Sequence, residues 1–295
     1  MTDSARWDGF ELRSGDIIIS TPPKCGTTWT QMICALLVFQ TTTFERPLNE
    51  MSPWLDMLVH STDDVYSVLA AQTHRRFIKT HTPMDGLPDD PNVTYVVVGR
   101  DARDAGISAD NHRQNMNMPY ILQARANAVG LDDIAHILAE GPPKRAESQY
   151  ERFWEWVVDD TPVVSSDMSL RKMLHHLNSF WSYADQPNVV MLHYQDLTDD
   201  LGGQMRALAT RLEISVPESL WPELVQAASF ANMKEHAADV VPGRGDGFWL
   251  EKKDFFRNGS SGQWQEVFQP GDAERFAARV STLVSDALSN WMSRD

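Results

Sequence analysis

Four short runs of β-branched and apolar residues constrain the fold more than any other feature of the chain: Asp16–Ser20, Arg76–Lys79, Val93–Val98 and Val189–His193. Each is followed by loop-forming or capping residues and then by a stretch with helical spacing. A strand covered on both faces has no polar side, so it reads as a continuous apolar tract, and a parallel neighbour requires a long crossover. The repeated order of strand, turn and helix therefore predicts an α/β fold, with a central parallel sheet and helices on both faces.

Between the third and fourth runs lie about ninety residues, too many for a simple crossover. They hold helical patterns at Glu151–Val158 and Met168–Tyr183 and a break at Gly141-Pro142-Pro143, and are expected to form a helical insertion at about 120–185. Further helices are expected at Leu197–Leu212, at Pro217–Ser229 and from Asp272. A Gly-rich loop at about 242–262 precedes the last of these. With 295 residues, no internal repeat and no low-complexity tract, one domain spanning 1–295 is expected.

Charge narrows the function. Lys and Arg number 26 against 41 Asp and Glu, a net charge of −15, which speaks against a broad nucleic-acid or anionic-membrane surface. An anionic ligand must therefore be held by a local basic pocket. The two cysteines, Cys25 and Cys34, are too few for a disulfide framework. No apolar run approaches the ~20 residues of a membrane span. The polar start carries no apolar leader, so a cytoplasmic protein is expected.

Directly after the first strand comes Thr21-Pro-Pro-Lys-Cys-Gly-Thr-Thr-Trp29, and a helical pattern follows. A glycine turn between a strand and a helix aims unpaired amides and the positive dipole end at one spot, where a phosphate or sulfate can sit. Lys24 adds a charge; Thr27 and Thr28 add hydroxyls. This is not the Walker loop, because Thr21 stands where the first glycine belongs and Lys24 precedes Gly26. A second strand-to-helix turn, Gly99–Ser108, places Arg100 at the end of the third strand, where ligands of open α/β sheets bind and where a guanidinium offers a bidentate fork to phosphate.

Taken together, these segments resemble the cytosolic-type sulfotransferases, which transfer a sulfuryl group from 3′-phosphoadenosine 5′-phosphosulfate (PAPS). Pro23–Trp29 is similar to that family's 5′-phosphosulfate loop, with Cys25 as the small residue of its variable position. Arg100, Asp104 and Ser108 match its 3′-phosphate motif, Asp101 replacing the usual Asn. Phe256–Trp264 resembles its late Arg-Lys-Gly-x-x-Gly-x-Trp string, with Arg257 and Gly259 retained and Asn258 in place of Lys. Lys79-Thr-His-Thr-Pro83 is similar to its Lys-Thr-His-x-Pro.

The resemblance implies a P-loop-kinase-like fold. It also implies His81 as general base, Lys24 at the leaving oxygen and Lys79 at the sulfuryl oxygens. Trp29 and Phe230 would stack on the adenine, and Tyr194 and Ser229 would make polar contacts to the nucleotide. No metal is required by this chemistry, and no cluster with ligand spacing is evident in the sequence.

The acceptor is expected to be a small, apolar molecule bearing a hydroxyl or amine. Candidate walls are Met51, Trp54 and Met57, the segment His112–Tyr120 with Met116 and Met118, and Phe248-Trp249. The other histidines read as surface or core residues. The family's C-terminal dimer signature would fall at Gln265–Glu274, where only Glu274 survives, so the oligomeric state stays open. Two alternatives remain: an ATP-dependent small-molecule kinase of related fold, and a nucleotide-binding protein without catalysis.

Overall fold

The computed structural model describes residues 1–141, 144–166, 168–240, 247–257 and 259–294. Four strands, β1 (Ile17–Ser20), β2 (Phe77–Thr80), β3 (Thr94–Gly99) and β4 (Val189–His193), form one sheet in the order β2-β1-β3-β4, parallel throughout. Alternate residues of each strand enter opposite cores, as the period of two requires. Ile17, Ile19, Phe77, Val96 and Val98 face one apolar cluster; Ile18, Ile78, Tyr95 and Val97 face the other. The four expected strands are present to within about a residue at each end, and the α/β class is as the sequence predicts.

Helix α1 (Thr27–Phe39) follows β1, and α2 (Leu48–Met51) and α3 (Thr62–Ala71) lead to β2. Helix α4 (Ala102–Asn115) follows β3. The expected insertion consists of α5 (Met118–Val129), α6 (Leu131–Glu140), α7 (Gln149–Val158) and α8 (Leu170–Trp181). Helix α7 begins with a capping box of Ser148 and Glu151, and Ser169 caps α8.

Beyond β4, the single helix expected at Leu197–Leu212 is two, α9 (Tyr194–Asp199) and α10 (Leu201–Arg211). The Asp200 side chain accepts from Gly203 N and so starts a new helix. Helices α11 (Trp221–Ala228), α12 (Phe230–Glu235) and α13 (Ala237–Val240) precede the late loop, and α14 (Asp272–Ser281) and α15 (Asp286–Ser293) end the chain. Of the Gly-rich loop, residues 241–246 and Asn258 lie outside the described residues, as does the Pro142-Pro143 break.

The chain leaves β1 for β2 on one side and then crosses to β3 on the other. Strand order thus reverses between β1 and β3, and the crevice beyond their carboxyl ends is where an open α/β sheet binds its ligand. The Thr21–Gly26 turn and Arg100 occupy those two ends.

Candidate active site

A cavity of about 600 Å³ opens at this crevice. Its floor is the β1–α1 turn. Lys24 and Gly26 both take left-handed backbone, φ 69° and 102°, a conformation that glycine adopts freely and lysine rarely does. No side chain caps the N-terminus of α1, so an anion finds the first amides and the dipole end of a thirteen-residue helix. A Cβ on Gly26 would stand 3.3 Å from the Tyr194 ring, so this turn lies directly against α9.

Arg100 comes in from the end of β3. It is buried, its guanidinium stacks 4.2 Å from the Tyr194 ring centre, and Nη1 and Nη2 donate to Lys24 O at 3.0 Å and Ser260 O at 3.1 Å. Nε, although buried, has no hydrogen-bond partner among the described residues. A surface pair with Asp101 or Asp104 does not form. Asp101 binds Arg103 at 2.6 Å, and Asp104 accepts from the amides of Gly262 and Trp264 at 2.7 and 3.3 Å. An orphaned guanidinium nitrogen beside a glycine turn fits a phosphate-bearing ligand.

His81 follows β2. Its Nδ1 lies 2.6 Å from Thr21 O, and since a carbonyl can only accept, Nδ1 carries the proton and Nε2 keeps its lone pair. Burial, and then the neighbouring Lys79, hold its pKa well below the ordinary histidine value, so the ring is neutral. Trp54 stands between the two: its ring meets His81 edge-on at 4.6 Å, and Lys79 Nζ lies 4.0 Å above its centre. Asp56, fully buried, fixes Trp54 by accepting from Nε1 at 2.7 Å and also accepts from Trp7, Thr80 and Thr82.

Both lysines are enclosed without a carboxylate in salt-bridge contact among the described residues. Burial, reinforced by Arg100, lowers Lys24 to about 8; burial, reinforced by Lys24, lowers Lys79 to about 7. An anionic ligand would relieve both.

Of the residues singled out in the sequence, Lys24, Gly26, Thr27, Thr28, Trp29, Lys79, His81, Arg100, Ser108, Tyr194, Phe230, Arg257 and Gly259 line the cavity together. The Phe230 ring lies where a Cβ on Gly259 would stand, 2.6 Å away. Cys25 and Ser229 do not line it. Cys25 is buried beneath the turn, and the Ser229 hydroxyl is taken up in capping α12, where it accepts from Asn232 N.

On the acceptor side Trp54, Met57, Met116, Tyr120, Phe248 and Trp249 line the wall, whereas Met51 packs in the core and Met118 points outward. His112, expected only as part of the acceptor wall, also reaches the donor side, where its Nδ1 stands 3.2 Å from Lys24 Nζ, and it follows Ser108 by one helical turn. Sequence reasoning passed over Phe255 and the polar wall residues Asn49, His60, Ser61 and Asn127. For His112 the i, i+4 spacing was the available signal; the polar wall is assembled from three separate segments and has none.

A cationic pocket at the switch point of a parallel sheet, with a tautomer-fixed imidazole in the same cavity, defines a nucleotide-dependent group-transfer protein. The comparisons specify which one. The sulfotransferase domain family matches residues 14–288, and the chain belongs to that family. It is therefore a PAPS-dependent sulfotransferase, and nothing favours the kinase alternative.

Among its relatives are glycolipid sulfotransferases of Mycobacterium bovis, 37% identical over 99% of this chain and 91% of theirs, and of Mycobacterium tuberculosis, with the same identity and coverage. Dog sulfotransferase 1A1 is 26% identical over 91% of this chain and 83% of its own. The fold is shared with retinol dehydratase solved with retinol and 3′-phosphoadenosine 5′-phosphate (PAP), at TM-score 0.71, 20% identity and coverage of 96% and 85%. It is shared also with a mouse sulfotransferase solved with PAP, at TM-score 0.69, 18% identity and coverage of 98% and 93%. No helix among the described residues is long and apolar enough to cross a membrane.

Proposed function

We propose that the chain is a single catalytic domain that sulfates a hydroxyl of a glycolipid-like acceptor, with His81 as general base. The observation that carries this reading is the His81 Nδ1 bond to Thr21 O, which leaves Nε2 as the basic atom of a cavity that also holds Lys24 and Lys79. PAPS, when bound, supplies an activated sulfuryl group. Lys24, the first amides of α1, Thr27 and Thr28 would hold its 5′ end, Arg100, Ser108, Arg257 and Gly259 its 3′-phosphate, and Trp29 and Phe230 its adenine. His81 then takes the acceptor proton at Nε2 as the acceptor oxygen bonds to sulfur and the bridging S–O bond breaks. Lys79 would offset charge on the sulfuryl oxygens and Lys24 on the departing oxygen, as fixed charges aimed where charge develops.

The acceptor reading rests on two things: the names of the 37% identical relatives, and a wall that joins Trp54, Met57, Met116 and Trp249 to the polar Asn49, His60, Ser61 and Asn127. Such a wall suits a molecule with a sugar head and an apolar tail. A cytoplasmic location agrees with two free, buried cysteines. Transfer of ³⁵S from labelled PAPS to octyl glucoside, glucose and octanol tests the proposal. Octyl glucoside should exceed each fragment by at least about tenfold in kcat/KM, since both halves of the wall contribute. Octanol matching the glucoside, or no labelling of the glucoside, overturns it.

A further inference from the structure

Helix α4 lines the cavity with Ser108, Asn111, His112 and Asn115, and of these Ser108 and His112 lie one turn apart. His112 has no part in the chemistry above, yet its Nδ1 stands 3.2 Å from Lys24 Nζ. An ammonium can only donate, so Nδ1 accepts and the ring carries its proton on Nε2. Burial, followed by the charges of Lys24 and Lys79, keeps this imidazole neutral by holding its pKa well below the usual value. The ring is fixed by Trp249 at 4.8 Å and Phe255 at 5.8 Å, and Lys24 Nζ lies 4.8 Å over the same Phe255 ring. The other end of Lys24 is fixed too, since its carbonyl accepts from Arg100 and its backbone is left-handed.

We propose that His112 is a positioning residue that holds the Lys24 ammonium, by its hydrogen bond to Nδ1, at the boundary between the donor turn and the acceptor wall. The proposal rests on the reading that Lys24 offsets charge at the departing oxygen. A lysine tip is otherwise free in four torsions, and fixing it before reaction removes that ordering cost from the chemical step. The choice of partner matters. A carboxylate would orient the ammonium but cancel the charge the reaction needs, whereas a neutral nitrogen orients it and leaves the charge intact.

Two substitutions separate the hydrogen bond from the ring packing. His112→Phe keeps an aromatic ring against Trp249 and Phe255 and removes the acceptor; His112→Asn gives up the ring and offers an amide oxygen near the place of Nδ1. With labelled PAPS and octyl glucoside, His112→Phe should lower kcat at least about tenfold, the scale of a lost hydrogen bond to a charged group. The calorimetric Kd for PAP should stay within about threefold. His112→Asn should recover most of that loss, and on a Lys24→Met background His112→Phe should cost little more, because the group it positions is gone.

Wild-type kcat in His112→Phe, a lower kcat in His112→Asn than in His112→Phe, or full additivity with Lys24→Met would overturn the assignment. Wild-type kcat in Lys24→Met alone would instead remove the role given to Lys24. The two failures are thus distinct.

Discussion

At the scale of single residues the site sets cations and an imidazole side by side in one cavity with little charge to balance them. His81 has its tautomer set by a backbone carbonyl. His81→Ala should therefore keep PAP binding while kcat falls about 10²-fold or more, read by calorimetry beside the ³⁵S assay; near wild-type turnover would take the role from His81. The lysines make a second prediction. Their folded values of about 8 and 7 lie below the ordinary 10.5, so the unfolded chain binds more protons between about pH 7 and 10.5, and the donor-free protein gains stability from these groups as pH rises through that window. An anion reverses the shift, so PAP binding at pH 8 should take up protons, measured by calorimetry in buffers of differing ionisation enthalpy. Proton release would contradict the burial of the two ammonium groups. His81, Lys24, Lys79 and Arg100 were legible in the sequence because each sits in a contiguous strand-end string. His112 was legible only as part of the acceptor wall; its tie to Lys24 was not, because it depends on a contact between α4 and a turn 88 residues earlier.

At the scale of elements, the late loop is tied to the sheet by one carboxylate. Asp104, in the first turn of α4, accepts from Gly262 N and Trp264 N, while Arg100 donates to Ser260 O from the strand end. The loop thus closes over the pocket on hydrogen bonds from the same β3–α4 junction that supplies the guanidinium. Asp104→Ala leaves two amides without their charged acceptor, each bond worth about 1.5–3 kcal/mol, and should weaken PAP binding about tenfold or more. An unchanged Kd would mean that the loop is held elsewhere. Gly259→Ala should act likewise, since its Cβ would overlap the Phe230 ring at a backbone φ of +66°. The strands were read from sequence to within about a residue because buried parallel strands are continuous apolar tracts. The split between α9 and α10 was missed because a side-chain cap at Asp200 interrupts an otherwise continuous helical pattern, a local hydrogen bond that periodicity does not register.

At the scale of the whole molecule, the order β2-β1-β3-β4 does the organising. It sets the β1 turn and the β3 end side by side at the switch point, and it places His81, at the end of the next strand outward, on the same rim. A chain of net charge −15 thereby gathers the buried Lys79 and Arg100 and the half-buried Lys24 in one cavity, an arrangement that would make recognition of an anion local and selective. The central claim is that this rim grips both phosphates of one nucleotide. Calorimetry at matched salt, comparing PAP with 5′-AMP on the wild type and on Arg100→Gln, tests it most directly. PAP should bind at least about a hundredfold tighter than 5′-AMP, as a buried bidentate phosphate contact allows, and Arg100→Gln should erase most of that difference. Equal affinities for the two nucleotides, or a preference that survives the loss of Arg100, would contradict it.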